Sequence, residues 1–354
     1  MSVLLCVRPD TRNIGNDVIA RATAGIIRSA LGQDTSIVGV PALAGHRGGG
    51  LTAATVHDAN RFADGVILGG GNLFENGQLA VDINAVDALR VPMMILGLSH
   101  GRIRGADGHL VRRTDAMPRE TIRALVERST CTLVRDDATQ RVLHGMGLHG
   151  VEVTGCPSLF LPPNAPGTAR TDRVLLSIRH PSRMNVPPAL QWRVPSDVRE
   201  LVAKLRETYG PAVALVCHDY RDLEFARGFP DVPLLYFDDA DDYLTALREC
   251  RLSVTYRLHA FLPCLAFGTR SIHLSYDERG AEMVATAGMR EWDVDVAATH
   301  DVAGAVMRRV AMLPRYDTLR AAALERIATM RARTIVRIRG FAERATTEST
   351  VRAV

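Results

Sequence analysis

Residues 252–277 read LSVTYRLHAFLPCLAFGTRSIHLSYD, and this stretch decides the fold class. Residues 252–256 form a β-branched and aromatic run of strand length, 260–267 a helix-length segment stopped by Gly268, and 271–275 a second strand. Together they make a βαβ unit. Ligands of such units sit beyond the carboxyl ends of the strands, where helix N-termini leave N–H groups unpaired. Arg257 and His259 fall at that junction. Their i, i+2 spacing puts both on one side of an extended segment, and a helix starting near Ala260 adds partial positive charge at the same point. The pair suits a small anion; the plainer reading is a structural arginine beside a core histidine.

The same alternation runs outward from this unit. Upstream, strands are expected at 173–179, 212–218 and 232–237, with helices at 196–209, 222–227 and 240–249. The first of these strands is almost continuously apolar, as when helices cover both faces of a sheet. Before them, strands at 2–8, 34–40, 65–68, 91–97 and 131–135 alternate with helices at 18–31, 52–62, 117–128 and 136–146. Asp17 is the expected cap of the first helix, with Gly32 past its end. The loop 41–50, PALAGHRGGG, reads as irregular and mobile. Residues 151–168, VEVTGCPSLFLPPNAPGT, read as a linker. Downstream, helices are expected at 278–287 and 301–313. Pro314 then breaks the chain, and 319–345 carries Leu319, Ala323, Ile327, Met330, Thr334, Ile338 and Phe341 at helical spacing. The expected architecture is α/β: two Rossmann-like domains, 1–165 and 166–315, facing across a cleft, with a C-terminal helix and tail, 316–354, long enough to cross back.

Composition narrows the function classes. A chain of 354 residues, 47% hydrophobic and 23% charged, is that of a soluble globular protein too long for one ordinary core. An aromatic share of 5%, a net charge of +4 and no lysine-arginine block argue against nucleic acid as a partner. Lys204 is the single lysine among 43 basic residues, so a Walker A Gly-Lys is excluded and a Schiff-base lysine would have to sit mid-helix. Cys6, Cys131, Cys156, Cys217, Cys250 and Cys264 show no C-x-x-C spacing and read as free thiols of a reducing compartment. The opening MSVLLCVRPD is a first strand rather than a signal peptide, and no apolar run approaches the roughly 20 residues that span a bilayer. The cytoplasm is the expected location. Neither H-E-x-x-H nor a Cys-His cluster occurs, so no metal is expected.

Other strand ends carry candidates of their own. Asn13 to Asp17, NIGND, is either a capping turn with Gly15 at positive φ or a loop in which Asn13 and free N–H groups hold a substrate. Gly69, Gly70, Gly71 and Asn72 follow a strand and allow close backbone approach, though GGGNLF is not the dinucleotide fingerprint. Arg135 and Asp136 read first as a loop-closing guanidinium and a helix cap. Arg179, at a strand end, offers the bidentate donors that phosphate or carboxylate requires. His218 and Asp219 would point to opposite faces of a continuing strand.

Taken together, NIGND (13–17), GGGNLF (69–74), VRDDAT (134–139), TGCPSLF (154–160) and RLHAFLPCLAFGTRSIHLSYD (257–277) resemble the polysaccharide pyruvyltransferase family. The resemblance implies a GT-B-like fold and transfer of the enolpyruvyl group of phosphoenolpyruvate to sugar hydroxyls, with release of phosphate and no further cofactor. It implies that Arg257 and His259 bind phosphoenolpyruvate and act in catalysis, with Arg179 facing the same anion. Asp17 or Asp136 is the expected base; Asn13, Gly70, Gly71 and Asn72 are expected to meet a sugar, glycan or lipid-linked acceptor, and Arg135, His218 and Tyr276 complete the binding set. The chain departs from many members in having Arg279 for a lysine and Cys156 for an aspartate, with Ser158 following. A nucleotide-sugar glycosyltransferase is the alternative enzyme, but Glu278 and Glu282 are four apart rather than about eight. A non-catalytic glycan-binding subunit is the other alternative. Arg320, Arg326, Arg331, Arg333, Arg337, Arg339 and Arg344 on the last helix are expected to be solvated, with peripheral contact to an anionic membrane as a second reading. A homo-oligomer is compatible with the sequence.

Overall fold

The computed structural model describes residues 2–9, 11–45 and 48–352, those from 346 on by backbone alone. His46 and Arg47, in the loop expected to be mobile, lie outside the described residues. The N-terminal half runs β1 (Val3–Arg8), α1 (Ile14–Leu31), β2 (Ser36–Pro41), α2 (Ala53–Phe62), β3 (Gly65–Gly71), α3 (Ile83–Asp87), β4 (Met93–Leu98), the hairpin β5 (Ile103–Arg104) and β6 (Leu110–Val111), α4 (Arg119–Arg128), β7 (Cys131–Val134), α5 (Asp137–His144) and β8 (Val151–Val153). The C-terminal half runs β9 (Val174–Ile178), α6 (Pro188–Tyr209), β10 (Val213–Cys217), α7 (Leu223–Ala226), β11 (Leu234–Tyr236), α8 (Ala240–Glu249), β12 (Leu252–Thr255), α9 (Leu258–Phe267), β13 (Arg270–Ser275), α10 (Glu278–Thr286), β14 (Asp293–Asp295), α11 (Val302–Ala311) and α12 (Leu313–Arg352).

Each half holds a six-stranded sheet, ordered β2-β1-β3-β4-β7-β8 and β11-β10-β9-β12-β13-β14. All pairings within them are parallel. The central strands β3, β4, β9, β10 and β12 are buried throughout, which is why all but one are nearly continuous apolar runs; β12, Leu-Ser-Val-Thr, is the exception.

Several boundaries differ from the sequence expectation for identifiable reasons. Helix α1 begins at Ile14, because the Asn13 side chain accepts from Gly15 N at 3.0 Å and takes the capping role expected of Asp17. Helix α6 begins at Pro188 and holds Pro195 inside it, at the loss of one backbone hydrogen bond. Pro314 opens α12 instead of standing outside it, in the first turn where its missing N–H is not needed. The expected linker is structured in its first half, where Val151–Val153 joins the sheet and Pro157–Phe160 forms a 3-10 turn.

Two helices staple the halves together. The first turns of α1 bury Ile14, Val18 and Ala22 among Leu175, Tyr243, Leu247 and Ala260 of the C-terminal half. Its later turns bury Ile26 and Ile27 against the N-terminal sheet. Helix α12 runs the other way: Tyr316, Ala323 and Ile327 belong to the C-terminal core, and Ile338 and Phe341 pack with Leu4, Ile67 and Leu133 of the N-terminal sheet. The last helix therefore crosses back. Its arginines are in part tied to the protein: Arg320, Arg326 and Arg339 donate to backbone carbonyls, and Arg337 pairs with Glu152.

Phe341 closes this crossing. A Cβ on Gly65 would stand 2.6 Å from Phe341 Cζ, so the strand needs glycine where the ring seats. Phe341→Ala is expected to lower the unfolding free energy in urea by about 3–5 kcal/mol, the usual cost of truncating a buried phenylalanine. A loss within about 0.5 kcal/mol would show that α12 is not packed on the first sheet.

Candidate active site

In a parallel α/β sheet ligands collect where the strand order reverses, because the loops leaving the two strands there diverge to opposite faces. The reversal lies between β1 and β3 in one sheet and between β9 and β12 in the other. The loops leaving these four strands supply Asn13, Gly15, Gly71, Asn72, Arg179 and Arg257 to a single cavity of about 420 Å³.

The local sequence shapes the β12–α9 junction. Thr255 Oγ1 accepts from Arg257 N at 2.8 Å and ends the strand. Arg257 is then the N-cap of α9, and His259 stands in its first turn with non-helical dihedrals, φ −84° and ψ 21°. The cause is Pro263, four residues on: it has no N–H to give the His259 carbonyl, and its ring crowds that oxygen. Tyr243 Oη donates to the His259 carbonyl instead, at 3.4 Å. The expected extended geometry for Arg257 and His259 is thus replaced by a kinked helix start, yet both still line the cavity. Gly15 is needed here for close approach and not for positive φ, which it does not adopt: a Cβ on it would lie 3.3 Å from His259 Nδ1.

Charge is concentrated in the cleft. Arg135, Arg179, Arg183, Arg221, Arg257 and Arg279 line the cavity, and Asp277 is the one carboxylate among the lining residues. Carboxylates behind the wall hold four of these cations. Asp222 pairs with Arg257, Asp219 with Arg221, Asp136 with Arg135 at 3.5 Å, and Glu75 with Arg279 at 2.7 Å. Among the described residues Arg179 and Arg183 form no ion pair. Arg179 Nε donates to the Arg183 carbonyl at 2.7 Å, its guanidinium lies 5.7 Å from the Tyr276 ring centroid, and burial pushes its pKa down. Burial opposes the charge of Arg279, but Asp277 and Glu75 outweigh it and hold its pKa up.

His259 and His218 are neutral for the complementary reason. Burial, followed by the charges of Arg135, Arg257 and Arg279, pushes His259 down to about 3. Its Nε2 lies 3.8 Å from Cys156 Sγ, which is itself 3.1 Å from Ser158 Oγ. His218 is held well below the ordinary value by burial and then by Arg257. Its Nε2 shares a hydrogen bond with Tyr243 Oη at 2.8 Å.

Most of the expected residues converge: Asn13, Gly71, Asn72, Arg135, Arg179, His218, Arg257, His259 and Tyr276 all line the cavity. Three do not. Asp17 lies on α1 facing Arg8 at 3.8 Å. Gly70, at φ +77°, packs its backbone against Ile19. Asp136 is buried and accepts from Thr139 N and Thr139 Oγ1, so its carboxylate is spent on capping α5. Sequence reading missed Arg221, which pairs locally with Asp219, and Asp222 and Glu75, whose partners are assigned only by the fold. Arg279 carried a signal, as the position where relatives have lysine, but was not placed in the site. Among the described residues no three of His, Cys, Asp and Glu stand together as a metal site.

The sequence model describing polysaccharide pyruvyl transferases matches residues 13–278, from the cap of α1 to the start of α10. The chain belongs to the polysaccharide pyruvyl transferase family. It is therefore a transferase, and the matched span holds all the lining residues except Arg279, Gly280 and Thr11. No curated protein matches the sequence. Among solved structures it is similar to a putative UDP-N-acetylglucosamine 2-epimerase from Listeria monocytogenes, 12% identical over 90% of each chain with a TM-score of 0.55. It is also similar to UDP-GlcNAc 2-epimerase from Neisseria meningitidis bound to UDP-GlcNAc, 12% identical over 90% of this chain and 94% of that one, with a TM-score of 0.53. The S. aureus MnaA–UDP structure is 10% identical over 88% of each chain, with a TM-score of 0.54. These likenesses show that a pyruvyl transferase family member has a GT-B-like fold. No helix among the described residues is long and apolar enough to cross a membrane.

The depressed histidines give the stability a definite pH dependence. His259 and His100, held down to about 3 and about 4, stay neutral in the folded chain, whereas each takes up a proton near 6.5 when unfolded. The unfolded state binds more protons in that window, so what these two groups contribute to stability is full above about 6.5 and is lost as pH falls towards about 4. His259→Gln is expected to reduce proton uptake on unfolding at pH 5 by about one, read from the slope of unfolding free energy against pH. An unchanged slope contradicts a neutral, buried His259.

Proposed function

We propose that the cleft binds phosphoenolpyruvate and transfers its enolpyruvyl group to hydroxyls of a sugar in a polysaccharide or glycan precursor, releasing phosphate. The observation that carries this reading is the excess of guanidinium groups over carboxylates around one small cavity, with Arg179 and Arg183 lacking ion pairs among the described residues. A compact substrate with both a phosphate and a carboxylate matches such a lining, because planar guanidinium forks bind both groups bidentately.

In this reading Arg257 and Arg179 hold phosphate and carboxylate, with Arg135 and Arg279 at the flanks. Asn13, Gly71 and Asn72 lie on the opposite wall, where the acceptor approaches. His259 is the better base than Asp17 or Asp136, which are turned away or spent on capping. A neutral imidazole accepts the proton of the attacking hydroxyl, and the incoming anions raise its basicity from the depressed value. His259 then gives that proton to the methylene carbon, the hydroxyl oxygen bonds to the carbon bearing phosphate, and the C–O bond to phosphate breaks. A second hydroxyl closes the ketal and its proton leaves with phosphate. The guanidinium groups stabilise charge on the departing phosphate.

A nucleotide-sugar donor has less support. Glu278 and Glu282 are engaged by Arg102 and Arg141, at 2.5 and 2.8 Å.

The reading is tested by His259→Ala, followed by 31P NMR of phosphate release from phosphoenolpyruvate with a panel of glycans. The variant is expected to keep the wild-type circular dichroism spectrum and lose about 10²–10⁴-fold in rate. A variant with normal turnover would remove His259 from the mechanism.

A further inference from the structure

Beside the cavity, on the turn that follows β10, an aromatic side chain faces water for no reason of packing. Tyr220 is 50% exposed and sits between Asp219 and Arg221, of which Arg221 lines the cavity. Two guanidinium groups flank its ring: Arg12 at 6.0 Å and Arg221 at 5.8 Å from the centroid. Arg12 comes from the other half of the protein, next to the lining residue Thr11, and among the described residues it forms no ion pair. A second tyrosine, Tyr236, is 41% exposed on the edge strand β11.

The turn is rigid. Asp219 accepts from Arg221 N at 3.1 Å and from Arg221 Nε at 2.7 Å, and its backbone bridges to Asn13 across the cleft. Two residues after Tyr220, Asp222 is 1% exposed, accepts from His180 N at 2.9 Å and pairs with Arg257. Tyr220 is thus displayed on a turn fixed by acids on both sides. An aromatic face held in this way loses little entropy when something stacks on it.

We propose that Tyr220, with Arg12, forms a sugar-binding platform at the mouth of the cleft, taking a pyranose ring of the acceptor glycan adjacent to the one that enters the cavity. The C–H face of a pyranose is apolar and matches an aromatic ring, while its rim of hydroxyls needs donors and acceptors of fixed direction. Arg12 supplies the donors. The inference rests on the cleft being one that receives a glycan, and it adds that recognition extends beyond the reacting sugar. Because Arg12 belongs to the N-terminal half and Tyr220 to the C-terminal half, an oligosaccharide held here bridges both.

The test is binding of wild type, Tyr220→Ala, Tyr220→Trp and Arg12→Ala to an array of defined oligosaccharides with galactose, glucose, mannose and N-acetylglucosamine termini, with stabilisation by phosphoenolpyruvate measured in parallel. Wild type is expected to retain a subset of oligosaccharides of two or more sugars. Tyr220→Ala and Arg12→Ala should weaken that binding about ten-fold or more, and Tyr220→Trp should keep it, with the response to phosphoenolpyruvate equal in all four. Equal glycan binding by wild type and Tyr220→Ala overturns the platform, as does failure of wild type to bind any glycan on the array. Loss of the phosphoenolpyruvate response alone would count against the donor assignment and leave the platform standing.

Discussion

A guanidinium group that is only 6% exposed needs an anion close by, and Arg257 has one in Asp222, itself 1% exposed. Everything at the cleft follows from this pairing. Asp222 also accepts from His180 N at the end of β9, so one carboxylate ties together the two strand ends at the point where the C-terminal sheet reverses its order. Arg257 Nε is left buried without a partner, so the pair does not exhaust the donors of the guanidinium. On the far side Glu75 serves Arg279 in the same way and receives the N–H of Gly101 at 2.6 Å. Burial raises the pKa of Glu75 against the pull of both Arg279 and Arg113, which marks the cost of holding that carboxylate in the interior.

The two sheets matter because their reversal points face each other. Each alone would offer a shallow crevice; opposed, they enclose a small polar chamber. That arrangement depends on apolar packing far from the chemistry. Helix α1 has one end in each core, and its first N–H bonds to the His218 carbonyl at 3.0 Å, so the loop carrying Asn13 is docked on the opposite half. Helix α12 adds a second strap on the other side. Ion pairs between the halves, including Arg102–Glu278 and Arg141–Glu282, line the seam, but the more exposed of them contribute little beside the buried apolar contacts.

Much of this was legible in the sequence because parallel strands buried on both faces must be apolar runs, and helices between them end at residues such as Gly268. Strand ends carrying Arg257, Arg179, Arg135 and His218 could be marked as cleft-facing from the rule that ligands sit beyond carboxyl ends. The pairing partners could not be marked. Arg257 and Asp222 are 35 positions apart, Arg279 and Glu75 are 204 apart, and no local pattern spans such distances. The hairpin of β5 and β6 and the five-residue α3 were too short for periodicity to register. Asp17 and Asp136 stand outside the cavity lining: a carboxylate at a helix start suits capping or solvent as well as chemistry, and for Asp136 the capping reading is the one the structure shows. The kink at His259 was implicit in the spacing to Pro263, which removes the donor its carbonyl would have used.

The central claim is that the cationic chamber between the two sheets takes phosphoenolpyruvate. Thermal unfolding with phosphoenolpyruvate, compared with UDP and GDP sugars, tests it most directly. At a hundred-fold excess over its dissociation constant a bound ligand adds about 2.7 kcal/mol, a shift that melting readily resolves. Stabilisation by phosphoenolpyruvate and its loss in Arg257→Ala is the predicted result; stabilisation by a nucleotide sugar alone would contradict the account.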